Sequence, residues 1–563
     1  MDYELKIVNG TLVDGTGAPG RRGDLGVRGG RIVALGEAPG AARTTLDAAG
    51  CVVAPGFVDI HTHYDAQILW DRMLSISPWH GVTTVVMGNC GFGIAPTRPE
   101  HRELVCRTLE KVEGMSFEAL EAGLGRDWPF ESFPQYLDAI ERAGVAINVG
   151  ALVGHTPVRL YVMGEEASER EATPEEVAAM RRLVREAIDA GAVGFATSKA
   201  VTHVGHRGRP VPSRAAALQE IESLAGALRE AGRGVVQATF GPGLFVEELA
   251  QLARATGRPV SWTALLAGML GPGAHRPVLR RTAELAREGL AVVPQVACRP
   301  LNFEFQLEEP FLFESMACFK PVSAADHAGR LRIYADPGFR EAFKAASDPA
   351  RGRGIAGWWQ RTVIAEVPDA AALGERPLEA VARERGLHPI DLALDLGLDT
   401  DLRARFRVSV LNFDETEVAE LLRDPHTILG LSDAGAHASQ LCDACFSTHL
   451  LGHWVRELGV LELEEAVRML TSEPARVFGL GDRGRLAVGA PADVVVFDPA
   501  TVAPSPLARV HDLPAGADRL VAEARGIEAV IVNGTLLRRA GKDVLDPSGP
   551  LPGRVLRGGA ARA

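Results

Sequence analysis

The sequence predicts an α/β protein: a TIM-type (β/α)8 barrel with a small β-sandwich formed by both chain ends. Three observations carry this. Short apolar strands alternate with charge-interleaved helical stretches through the middle of the chain. Both ends are rich in strands and tight turns. An apolar strand near residue 60 ends in His61-Thr62-His63. Strand–helix alternation repeated about eight times implies a parallel sheet, and a barrel presents its catalytic groups at the C-terminal ends of its strands.

The 563 residues, 46% hydrophobic and 23% charged, are those of an ordinary soluble protein. They are enough for a large barrel with accessory parts. The formal charge of −12 is spread without an acidic tail, which argues against a nucleic-acid partner. The start of the chain has no basic run followed by an apolar core, so no secretory signal is expected. No apolar run reaches the roughly 18 residues of a membrane span. Seven scattered cysteines fit a reducing cytoplasm better than a disulfide framework. The pair Cys442-Asp-Ala-Cys445 has no second pair and reads as structural. The expectation is a cytoplasmic protein with a small-molecule partner, no nucleic-acid or membrane partner, and a possible homo-oligomeric state.

Residues 1–54 and 480–540 are assigned to the small sandwich. Leu5-Lys6-Ile7-Val8 precedes an expected Asn9-Gly10 turn, and Thr11-Leu12-Val13 follows it. The string Ile7-Val8-Asn9-Gly10-Thr11-Leu12 recurs as Ile531-Val532-Asn533-Gly534-Thr535-Leu536, so the two ends are expected to pair. Residues 55–479 form the barrel, with strands expected at 83–87, 146–149, 192–195, 234–236 and 291–293 and helices such as 175–190 and 215–231. An insertion near 299–385, rich in Phe, Trp, Pro and Glu, breaks the rhythm. It is expected over the barrel mouth, shaping a substrate pocket or a dimer contact. Residues 541–563 are a C-terminal tail.

His61 and His63 lie two apart at a strand end, so both imidazoles can aim at one point, as a divalent metal needs from two ligands. Cys90 follows the next strand on a glycine-flanked turn; its thiolate can bind or bridge zinc, or it can be a small packing residue. Asp433, in Leu431-Ser432-Asp433-Ala434, ends a late apolar strand. Such a carboxylate can ligate a metal and take a proton from attacking water, or cap the next helix.

The order of Gly-Phe-Val-Asp-Ile-His-Thr-His, barrel, Ser-Asp-Ala and β-rich end resembles the amidohydrolase superfamily. The run through Gly88-Asn89-Cys90-Gly91-Phe92, with Asn148-Val149 and Val153-Gly154-His155, resembles its N-acyl-D-amino-acid deacylase (D-aminoacylase) branch, across essentially the whole chain. The resemblance implies a zinc enzyme with one or two divalent ions. His61 and His63 would hold one metal, Cys90 would hold or bridge metal, and Asp433 would be ligand and general base. It also implies two further histidines on the next strands. Here those places read Gln237-Ala238-Thr239-Phe240 and Val260-Ser261-Trp262-Thr263-Ala264, with Phe240 and either Trp262 or Thr263 at the expected positions. Three outcomes stay open: one metal on His61, His63 and Asp433 with Cys90 or another side chain assisting; recruitment of other histidines, such as His155, His203 or His206; or a degenerate site with altered activity.

Lys199, at a strand end, could act like the carboxylated lysine that bridges two metals in many amidohydrolases. His155, His203 and His206 are candidates for metal or substrate contact. Arg299 and Arg207 are placed to hold a substrate carboxylate. His80 belongs at the opposite barrel end, and His449 and His453 read as structural helix residues. The expected activity is hydrolysis of an amide C–N bond, of an N-acyl-D-amino acid, by metal-activated water. A cyclic-amide hydrolase or deaminase, or a degenerate barrel kept as a binding module, are the alternatives.

Overall fold

The computed structural model describes residues 2–205, 208–351 and 356–561. Its centre is a curled sheet of eight parallel strands in sequence order: Phe57–Asp59, Val82–Met87, Asn148–Gly154, Gly194–Ser198, Val235–Thr239, Val260–Thr263, Val292–Val296 and Ile428–Leu429. The edges meet just beyond the first and last strands. There Thr62 bridges Ala434 in parallel, and the His63 N–H donates to the Ala434 carbonyl at 2.7 Å. Several strands run further toward their C-terminal ends than the apolar pattern predicts. Thr197, Ser198, Gln237, Thr239 and Gln295 lie past the apolar run of each strand. In the folded chain all five are buried strand residues, at the end of the sheet that carries the site.

Helices cover the outside of this sheet. Pro174–Ala190 begins with a capping box in which Thr173 and Glu176 bond each other's backbone N–H, and Gly191 closes it at φ +119°. At the opposite end of the sheet, Val58, Ile60, Val86, Leu152, Val193 and Val235 pack with Phe478, Leu480 and Leu556 of the C-terminal region. The tail is strapped there by Gly553 N–H to the Val145 carbonyl (2.8 Å) and Val149 N–H to the Arg554 carbonyl (2.9 Å). His80 lies fully buried, its ring nitrogens bonded to Thr448 Oγ1 (2.8 Å) and the Ala522 carbonyl (2.9 Å).

The two ends of the chain pool into one nine-stranded sheet, joined where Val494–Phe497 runs antiparallel to Val52–Pro55. The expected Asn9-Gly10 turn does not form. Tyr3–Leu12 is one continuous strand, with a register shift between Ile7 and Gly10 and Asn9 at φ +62°, which is a bulge rather than a reversal. The matching Asn533-Gly534 does reverse the chain, between Ile527–Val532 and Thr535–Arg539.

The aromatic segment after the seventh barrel strand opens with Leu301–Gln306 and is closed by Arg405–Leu411, which pairs back onto it antiparallel. Between them, helices pack on a core of their own, with Phe305, Phe313, Phe319, Phe343 and Trp358 in mutual ring contact. Leu301 and Phe303 face the barrel cavity. Among the described residues no helix is long and apolar enough to cross a membrane.

Candidate active site

At the C-terminal end of the barrel strands, His61, His63 and Cys90 are buried with one ligand atom each, all within 4.8 Å of one another. His61 Nε2 lies 3.4 Å from Cys90 Sγ and 3.2 Å from Asp433 Oδ1. His63 Nε2 lies 3.8 Å from the same oxygen. Ligand atoms bonded tetrahedrally at zinc distances stand about 3.3–3.8 Å apart. The two imidazoles and the thiol therefore fit one divalent ion of zinc type by spacing and by chemistry, and the Asp433 carboxylate stands beside both histidines as a further donor.

The backbone is bent to bring these groups together. Cys90, Asp433 and His437 all have positive φ (57°, 46° and 49°), a conformation that costs of order 1–3 kcal/mol per residue and clusters at functional sites. Gly435 lets the loop after the eighth strand lie against the first. A Cβ there would sit 2.6 Å from the His63 carbonyl oxygen. The Cys90 N–H donates to Gln237 Oε1 (2.7 Å), and Ser432 Oγ donates to the His61 carbonyl (2.9 Å).

Burial raises the Cys90 thiol, but the adjacent His61 and His63 imidazoles outweigh burial and bring it down to about 6. Burial likewise works against ionisation of Asp433, and His61 and His63 overcome it, leaving its carboxyl below the usual range. Asp59, beneath the cluster, is pushed up to about 7 by burial, against the hydrogen bond its Oδ1 accepts from the His61 N–H (3.1 Å).

One residue missed in the sequence fixes the orientation of His61. Its Nδ1 bonds Gln295 Oε1 at 2.7 Å, and Gln295 Nε2 donates to Ser261 Oγ at 3.0 Å. With the amide nitrogen so engaged, its oxygen must accept from Nδ1–H. That leaves the Nε2 lone pair facing Cys90 and Asp433. Partners of this kind typically change metal affinity 10- to 100-fold. Replacing Gln295 with leucine is expected to weaken metal binding by about that factor, read by competition with a chromogenic chelator. Unchanged affinity would show that His61 needs no such support.

The cluster opens into a cavity of about 620 Å³ reached by loops after the fourth to eighth strands. His203 lines it, its Nδ1 bonded to Ser198 Oγ (2.7 Å) and its ring against Phe92 (5.0 Å between centroids). Burial, with the nearby His63 and His437, pushes its pKa down to about 3, so it stands as a neutral imidazole. Arg299 lines the cavity too, its Nε donating to Asp443 at 2.7 Å. Its backbone is pinned by Asn412, which donates to the Ala297 and Arg299 carbonyls and accepts from the Ala267 N–H.

Other expected candidates lie elsewhere. His155 is buried with its nitrogens on Thr197 Oγ1 and Glu220 Oε1, both at 2.8 Å, and it does not line the cavity. Lys199 Nζ donates to the Arg214 and Ala216 carbonyls (2.7 and 2.6 Å) and does not line it either. The recruitment considered for these two is replaced by internal hydrogen bonding. His206 and Arg207 lie outside the described residues. His453 is held by Glu415 and Glu457, and Cys442 and Cys445 are buried free thiols.

Phe240, at one expected histidine position, packs edge-on to Trp262 (5.7 Å) and against Phe245 (6.1 Å). Thr263 Oγ1 donates to Thr239 Oγ1 at 3.2 Å. Neither strand end offers an imidazole to the cluster.

Comparison with known proteins points the same way. The profile of the amidohydrolase family matches residues 44–537. The D-aminoacylase of Alcaligenes xylosoxydans xylosoxydans is 32% identical, over 94% of this chain and 94% of its own length. A solved D-aminoacylase, described as having a binuclear metal centre with one-metal activation and second-metal attenuation, is 28% identical. It has a TM-score of 0.66 and covers 98% of this chain and 100% of that one. The N-acyl-D-glutamate deacylase of Bordetella bronchiseptica, solved with zinc and a phosphonate mimic of the tetrahedral intermediate, is 30% identical. Its TM-score is 0.65, over 99% of this chain and 100% of that one.

Proposed function

Since this chain belongs to the amidohydrolase family, within its D-aminoacylase-like branch, we propose that it is a metal-dependent hydrolase that cleaves the amide C–N bond of an N-acyl-D-amino acid. The observation that carries this reading is the convergence of His61, His63, Cys90 and Asp433 at one end of a cavity that Arg299 also lines. His61, His63 and Cys90 would hold one zinc ion, with Asp433 as the fourth donor. Bound there, the ion would supply a Lewis acid that polarises the scissile carbonyl and lowers the pKa of water.

The chain's own groups do the rest. Asp433, ionised beside two imidazoles, accepts a proton from the attacking water. It then returns that proton to the leaving nitrogen as the C–N bond breaks, giving a carboxylic acid and an amine. Arg299 holds the substrate carboxylate. Asp443 fixes its Nε, and among the described residues its two Nη groups make no hydrogen bond, so both can address a carboxylate as a fork. His203, neutral and hydrogen-bonded through Nδ1, contacts the amide or the leaving group through Nε2. The D configuration follows the named relatives.

Zinc-loaded protein is expected to hydrolyse N-acyl-D-leucine and to leave the L enantiomer and cyclic ureides untouched, as measured by amine release and by ring-opening absorbance. Turnover of a cyclic ureide without turnover of any N-acyl-D-amino acid would overturn this reading.

A further inference from the structure

We propose that the acyl half of the substrate is a long aliphatic chain, so that the site takes N-fatty-acyl-D-amino acids in preference to N-acetyl ones. This rests on the N-acyl-D-amino-acid reading above and names the part of the substrate that fills the cavity.

Three observations converge. The cavity, about 620 Å³, lies in the upper half of the ~300–1,000 Å³ range of small-molecule sites, far beyond what an acetyl group occupies. Its ionisable groups are those of the reacting cluster with His203, His437, Arg299 and Asp443, and Thr202, Thr239 and Thr263 add hydroxyls at the strand ends. The loops after the fifth and sixth strands contribute Phe240, Pro242, Phe245, Leu266 and Met269. The apolar wall also reaches solvent. Val201 and Phe245, which line the cavity, are 58% and 49% exposed. Leu270, next to the lining Met269, is 52% exposed, and Phe311, 38% exposed, stacks edge-on against the lining Phe303. Exposed apolar side chains on the loops after the fourth, fifth, sixth and seventh strands thus stand at the pocket, where such a cluster marks a binding surface for something apolar.

Topology gives the direction of the chain. Arg299 follows the seventh barrel strand, His61 and Cys90 follow the first and second, and Val201, Phe240 and Phe245 follow the fourth and fifth. In an N-acyl-amino acid the carboxylate sits on the nitrogen side of the scissile bond. With the carboxylate on Arg299 and the carbonyl at the cluster, the acyl chain extends over Phe240 toward the exposed rim. Phe240, backed edge-on by the buried Trp262, is thus part of the acyl wall at a place where an imidazole would otherwise stand.

The test is a series of N-acyl-D-leucines from acetyl through butyryl and hexanoyl to octanoyl, each below its micelle concentration. With zinc-loaded protein, kcat/KM is expected to rise up to about fourfold per methylene. Calorimetric binding to the metal-free protein reads the same subsite without turnover. Kd should tighten along the series with a negative heat-capacity change. Phe245→Ser, at an exposed position that should not threaten folding, is expected to flatten both slopes. Flat slopes in the unmodified protein would overturn the acyl subsite while leaving the hydrolase reading standing. Chain-length-dependent binding with no hydrolysis of any member would support the subsite and overturn that reading.

Discussion

Replacing Asp433 with asparagine is expected to lower kcat by about 10³-fold, within the roughly 10²–10⁴ that a general base contributes, while metal content stays near that of the unmodified protein. An asparagine side chain keeps an oxygen where Asp433 Oδ1 stands, 3.2 Å from His61 Nε2, so it can still ligate. It cannot accept a proton from water. The backbone favours a clean result, because position 433 has φ +46°, and asparagine is among the residues that tolerate this region best. A variant that loses both strain compatibility and the base would be uninterpretable; this one loses the base alone. Turnover of N-acyl-D-leucine and metal content by atomic spectrometry, measured on the same preparation, decide the matter. Near-normal turnover would remove Asp433 from the base role. Loss of the metal would show that its ligand role dominates.

How far the chain could be read in advance depended on the range of the interactions. The His61-x-His63 pair is local, since period two on a strand aims both rings to one side. Cys90 and Asp433 follow from the same logic of strand ends: Cys90 joins the two histidines in one group of donors, and Asp433 stands 3.2 Å from His61 and 3.8 Å from His63. The Asn-Gly strings show where local logic stops. Asn533-Gly534 reverses the chain, yet the identical Asn9-Gly10 does not. A Cβ at Gly10 would come within 2.5 Å of Val53 Cγ2, and Asn9 is pinned by Asp24 and Asp47. These contacts, made across the sheet, hold the first strand straight.

The same limit hid Gln295, whose partner His61 is 234 positions away. It also hid the Asp443 that orients Arg299. A buried glutamine inside an apolar strand was the available signal, since such a side chain must find partners or pay its desolvation. His155 and Lys199 were legible as strand-end residues. The helix and loop that satisfy them, through Glu220 and the Arg214 and Ala216 carbonyls, were not.

Metal analysis of protein purified without chelator is expected to find about one zinc per chain. Stripping it should lower activity by at least about 100-fold, and titration back should restore activity fully at one equivalent. In the proposed site His61, His63 and Cys90 hold one ion with Asp433 as the fourth donor. A second ion of zinc type needs about three protein ligands of its own. Phe240 offers a ring face locked between Phe245 and Trp262. Thr263 offers a hydroxyl already donated to Thr239. His155, the nearest strand-end imidazole after Cys90 in sequence, has both nitrogens engaged. His203 and His437 also line the cavity, but among the described residues His61, His63 and Cys90 are the one group of three donors close enough together to hold an ion. Phe240 thus stands where the family resemblance expects an imidazole, and it lines the cavity with apolar surface. Activity that keeps rising to two equivalents, with two zinc ions retained after gel filtration, would overturn the single-ion site and require a donor this arrangement does not provide.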